Sequence, residues 1–101
     1  MAETTGIKDD KGKIRPSLIL QDMAEAIFEL IKLAEFGASK YEAKSWMAVE
    51  NAETRYMEAL QRHLMLELFK PGSCDEESKA PHLIAIAWNA MAVYCIRCMK
   101  I

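Results

Sequence analysis

Cysteine is scarce in this chain, with three in 101 residues. So small and odd a number cannot build a disulfide scaffold, and the expectation is a reducing, cytoplasmic compartment. An excess of positive charge is missing too. Thirteen basic against 15 acidic residues leave a net charge of −2, which argues against non-specific nucleic-acid binding. No run reaches the roughly 18 uninterrupted apolar residues of a membrane span, so no membrane association is expected. Met1-Ala2-Glu3-Thr4 starts no basic-then-apolar leader, so no secretory signal is expected. Alternation of apolar and polar residues, the mark of a half-buried strand, occurs nowhere. Walker A, GxSxG and HExxH motifs are absent. With only two histidines and no tandem His-Asp doublet, a histidine-aspartate phosphohydrolase is disfavoured as well.

What remains is 51% hydrophobic and 28% charged, enough for one globular domain with a modest core. Residues 1–16 read as a polar arm, with Gly6, Gly12, Pro16 and a mixed charge run over 8–15. Residues 17–101 read as a single helical domain. Ser17 is a candidate N-cap for a first helix over Leu18–Phe36, stopped by Gly37. A helical turn and loop are expected over Ser39–Trp46. A second long helix covers Ala52–Phe69 and ends at Lys70-Pro71-Gly72, with Met57, Leu60, Leu64 and Leu68 as its core stripe. The last helix starts near Pro81 and reaches Cys98 or beyond. The fold class is therefore all-α: a small bundle of three long helices plus a short one. Leu83, Ile84, Ile86, Trp88, Met91, Val93, Tyr94 and Ile96 leave the last helix no polar face, so it must be surrounded. One small chain cannot easily do this, which predicts completion by oligomerisation, most simply a symmetric dimer.

Chemistry concentrates between Arg62 and Asn89. Both histidines, His63 and His82, fall there with Asp75, Glu76 and Glu77. His63 and Glu67 are one turn apart and either form an interior pair or leave an ordinary boundary histidine. Arg62 has Glu58 as a natural partner four residues away, a solvated pair of little weight. His82 and Asn89, two turns apart, share a face with Ile86 and Val93. Asn89 there either fixes packing register or hydrogen-bonds a ligand. The three acids either complement a helix N-terminus or ligate a hard cation such as Mg²⁺, at most two of them from one chain. Cys95 and Cys98 form a CxxC inside a helix with no second pair, so they read as buried small residues. The seven methionines read as packing filler.

The order of short motifs adds a further signal. Asp10-Lys-Gly-Lys-Ile-Arg15-Pro-Ser-Leu-Ile19 is followed by Phe36-Gly-Ala-Ser-Lys40-Tyr41 with Trp46, then Arg62-His63-Leu64. Asp75-x-Glu77-Ser78 and Pro81-His82-Leu83 with Asn89 complete the series. Over residues 8–95 this resembles the phage-associated dATP/dGTP diphosphohydrolase N-terminal domain family. The resemblance implies a small helical protein, often phage-encoded. Such a protein hydrolyses purine deoxynucleoside triphosphates to monophosphate and pyrophosphate with Mg²⁺ or Mn²⁺. On that reading Lys13, Arg15 and Lys40 would hold the triphosphate with help from Arg62. Tyr41 or Trp46 would stack on the base, and Asn89 would hydrogen-bond the ligand. Asp75 and Glu77 would bind metal, Glu77 also serving catalysis, while His63 and His82 orient water or stabilise the leaving group. This chain departs from the family pattern at Ser73, where an acid is common, and at Ala85, where a second histidine is common. Losses of that kind keep two other readings open: a non-catalytic protein that sequesters a nucleotide, and a purely structural oligomer.

Overall fold

The computed structural model describes residues 5–100, which fold into helices without any strand. In chain order these are α1 (Ser17–Leu20), α2 (Ala24–Lys40), a short 3₁₀ helix (Ser45–Ala48), α3 (Ala52–Phe69) and α4 (His82–Met99). The all-α expectation holds. The expected first helix is in fact two. At the break, the Asp22 N–H bonds to the Ser17 carbonyl five residues back, which puts an extra residue into the turn. Pro16 stands at the cap position, and Ser17, expected as the cap, is already helical. Gly37 does not stop α2, which runs on to Lys40. A mid-helix glycine costs only about 1 kcal/mol. The last turn is held by the Tyr41 N–H on the Gly37 carbonyl and the Ser39 hydroxyl on the Phe36 carbonyl.

The predicted stops around the last two helices are where they were expected. α3 ends at Phe69, and Gly72 takes a left-handed φ of 81° that permits the reversal after Pro71. α4 follows directly on Pro81. These two helices pack antiparallel and form the body of the domain. At one end Glu53 on α3 pairs with Arg97 and Lys100 beside the end of α4; at the other His63 meets His82. The seam is built from Ala85, Asn89, Ala92, Val93 and Ile96, spaced as one face of α4, with Ala52 buried at the start of α3. Small side chains let the helices approach closely. Val93 and Ile96 supply most of the apolar burial, about 1.5–3 kcal/mol each.

The expected stripe on α3 is only half realised. Met57 and Leu60 are half-buried, whereas Leu64 and Leu68 are exposed. The reason is length: α4 begins opposite His63, so α3 beyond that point overhangs its partner. Cys95 and Cys98 are exposed, not buried, because they lie on the flank of α4 away from the seam. Leu83, Met91 and Tyr94 on α4 are exposed as well, and so are Leu18, Ile19, Leu20, Met23, Phe28 and Ile31 on α1 and α2. The radius of gyration is 18.6 Å, against about 13 Å for a compact domain of this length. By length and mean hydropathy, 1.3 over His82–Met99, α4 would suffice to cross a bilayer. A third of that stretch is buried inside the fold, His82 and Asn89 included.

Candidate functional site

Three helical stripes and two loops enclose a cleft of roughly 1000 Å³, near the upper end of the range for small-molecule sites. α2 contributes Leu33, Phe36, Gly37 and Lys40, with Tyr41 just past its end; α3 contributes Arg55, Tyr56, Ala59, Arg62 and His63; α4 contributes Ala85, Trp88 and Asn89. Each set recurs at three- and four-residue steps, so each is one face of its helix.

The apolar end is an aromatic cluster. Trp88 meets Trp46 edge-on at 6.0 Å between centroids and Tyr56 at 5.6 Å. The Tyr56 hydroxyl donates to the Trp46 carbonyl at 2.8 Å, which ties the 3₁₀ helix to α3. Burial pushes the Tyr56 phenol above its ordinary range. Tyr41 lies exposed on the rim, 5.0 Å from the Lys40 ammonium.

The polar end gathers His63 from α3, Asp75 from the connecting loop and His82 from the start of α4. The two imidazoles share a hydrogen bond between their Nδ1 atoms at 2.8 Å. One ligand atom from each of the three residues lies within 4.8 Å of the others. His82 is buried; His63 and Asp75 are half-buried and line the cleft. Desolvation, with a smaller contribution from His82, holds the His63 pKa below the usual histidine range.

The loop that delivers Asp75 closes on itself. Cys74 and Pro81 form an antiparallel bridge, the Asp75 N–H bonds the Ala80 carbonyl, and the His82 N–H bonds the Ser73 carbonyl. Asp75 Oδ2 accepts the Glu77 N–H at 3.1 Å, the Ser78 N–H at 2.9 Å and the Ser78 hydroxyl at 3.1 Å. Those bonds, the Ser78 N–H first, hold the carboxyl below the ordinary aspartate range despite desolvation. All three bonds fall on Oδ2, which anchors the carboxylate to its own loop.

The structure brings together some of the expected residues and separates others. Lys40, Tyr41, Trp46, Arg62, His63, Asp75, Glu77 and Asn89 all line the cleft, with His82 buried behind His63. Lys13 and Arg15 are exposed on the arm and do not line it. Glu77, expected beside Asp75 on a metal, instead pairs with Lys40, and that bond raises the Lys40 pKa. Glu67 does not pair with His63: its carboxylate receives the Gly72 N–H at 3.1 Å and secures the turn after α3. Arg62 makes no ion pair with Glu58. Asn89 donates to the Ala85 carbonyl at 2.8 Å, which leaves its side-chain carbonyl for an occupant of the cleft. Ala85, where a second histidine was noted as common, lies on the cleft wall.

Sequence reasoning missed Arg55, Tyr56, Ser78 and Trp88. Arg55 and Tyr56 stand two turns before Arg62 and His63, a repeat that could have marked the shared face. Asp75-x-x-Ser78 is the local pattern of a carboxylate satisfied by the N–H groups that follow it.

The model of the family described as dATP/dGTP diphosphohydrolase, N-terminal, matches residues 3–100, and the chain belongs to that family. No curated protein and no solved structure matches the chain. Membership gives the chain a nucleotide-hydrolase context.

Proposed function

We propose that this protein is a metal-dependent pyrophosphohydrolase that converts purine deoxynucleoside triphosphates to monophosphate and pyrophosphate in the cytoplasm. The observation that carries the reading is one cleft with an aromatic end, basic side chains interleaved with glutamates, and a His-Asp-His polar end. A purine needs flat apolar surfaces, which Trp46 and Tyr41 offer. A triphosphate needs fixed cations, and Arg62 is free of ion pairing among the described residues while Lys40 is held protonated. Lys44 and Arg55 add two more basic side chains to the lining, alongside Glu42, Glu58 and Glu77. Asn89 is positioned to accept a hydrogen bond from base or sugar. A bound divalent ion would supply Lewis acidity and a more acidic water. The test is incubation with dGTP and dATP and Mn²⁺ or Mg²⁺, measuring pyrophosphate and orthophosphate separately. Pyrophosphate with deoxynucleoside monophosphate is the expected result; orthophosphate alone, or no product, would refute it.

Ala85 on the cleft wall favours a second reading, a nucleotide-sequestering protein on the same scaffold. It predicts tight binding with intact triphosphate recovered. The exposed apolar residues of α1, α2, α4 and the overhang of α3 support a further part of the proposal, a homo-oligomer in which a second copy covers these faces. Light scattering coupled to size exclusion checks it: a monomer at micromolar concentration would rule it out.

A further inference from the structure

From the geometry of the polar end we infer that His63, Asp75 and His82 form a binding centre for a divalent first-row transition ion, with open positions facing the cleft. This rests on the proposed hydrolase reading only for what the ion does, not for whether it binds. Three residues from three different elements converge with ligand atoms within 4.8 Å, close enough to share one ion. The two Nδ1 atoms already approach to 2.8 Å, and an ion takes the place of the hydrogen that one ring donates to the other. Support is built around the group: Ser78 and the loop N–H groups fix Asp75, and the Cys74–Pro81 bridge fixes the loop.

The donor set decides the kind of ion. Mg²⁺ favours oxygen ligands and retains its waters, so two imidazoles serve it poorly. Imidazole suits iron, cobalt, nickel, copper and zinc, and two histidines with one carboxylate leave positions for water or a phosphate oxygen. Glu77 is outside the centre: its carboxylate lies against Lys40 and is not among the ligand atoms that converge within 4.8 Å. This moves the metal away from the adjacent acids Asp75 and Glu77, and from Mg²⁺ as the resident ion.

The experiment is titration of the chelator-treated full chain with Co²⁺, without nucleotide, followed by calorimetry and visible ligand-field absorption. One ion per chain is expected, displaced by Zn²⁺ and not by Mg²⁺. Substitutions H63A, D75A and H82A should each weaken binding by about 100-fold or more, beyond the 10–100-fold typical of outer-shell changes. E76Q should leave affinity unchanged. H82A empties a buried position in the helix pair, so the wild type supplies a readout independent of folding. Proton NMR of the Co²⁺-loaded chain should show two hyperfine-shifted, exchangeable imidazole N–H signals. No such signal, or affinity lost in E77Q and kept in H63A, would overturn the centre. Co²⁺ bound as expected with no hydrolysis of any nucleotide would sink the enzyme reading and leave the centre standing. Hydrolysis observed while H63A and D75A bind Co²⁺ as the wild type does would do the reverse.

Discussion

Ser78→Ala probes the loop that carries Asp75. The Ser78 hydroxyl makes two bonds: it donates to Asp75 Oδ2 at 3.1 Å and accepts the Ala80 N–H at 3.2 Å. A hydrogen bond to a charged group is worth about 1.5–3 kcal/mol, and because Asp75 is half-buried the lower end applies. Losing the second bond strands an N–H on a buried residue, Ala80, at a cost of about 1 kcal/mol. Partial compensation by water and by the two N–H groups still on Oδ2 brings the expected loss to about 2 kcal/mol. For a domain of this size that is a drop of roughly 8–16 °C in melting temperature. Helical circular dichroism at one fixed protein concentration measures it, since a self-associating chain melts in a concentration-dependent way. Co²⁺ affinity should fall about 10–100-fold, because the carboxylate loses its orientation. Ser78→Thr keeps the hydroxyl and should stay within about 0.5 kcal/mol of wild type. If the alanine variant melts with the wild type, the loop is not held as described and the argument for a preformed Asp75 fails.

Glu53 is held below the ordinary glutamate range by Arg97 first and Lys100 second. Its contribution is therefore present above the unfolded value and lost as the pH falls through the folded one. E53Q should melt slightly below wild type at neutral pH, with the gap closing below about pH 4; a gap that persists in acid would contradict the pairing. Lys79 sits at a φ of 66°, where a side chain costs about 1–2 kcal/mol, so K79G should stabilise by about 1 kcal/mol in urea unfolding. Y56F removes the 2.8 Å bond to the Trp46 carbonyl and should cost about 1 kcal/mol with a change in tryptophan emission. Unchanged emission would separate the 3₁₀ helix from α3.

The helices themselves were largely legible. Pro71-Gly72 and Pro81 mark their positions by removing a donor or permitting a left-handed turn, effects that act wherever the chain goes. The break at Gln21-Asp22 carried no such mark, because a shift to a five-residue hydrogen bond needs neither proline nor glycine. Gly37 misled for the opposite reason. Its cost of about 1 kcal/mol is small beside the bonds and cleft contacts that the next turn of α2 makes. Which apolar residues of α3 are covered depends on where α4 starts opposite them, a tertiary fact that periodicity alone does not contain.

The same distinction explains the site. That His63, His82 and the acids belonged together was legible from their crowding, but which acid joins the histidines is decided by the loop over 73–82. Asp75 sits at the position whose carboxylate is satisfied by the N–H groups two and three residues on, and this turns it inward beside His63. Glu77, two residues later, falls on the side facing α2, where Lys40 reaches it. An exposed ion pair of that kind is a weak competitor. On the proposed nucleotide reading, a triphosphate in the cleft would draw Lys40 away, since it offers several anionic oxygens in place of one carboxylate. The two acids divide accordingly: Asp75 is turned towards the histidines by the N–H groups of its own loop, and Glu77 is left on the α2 side with Lys40.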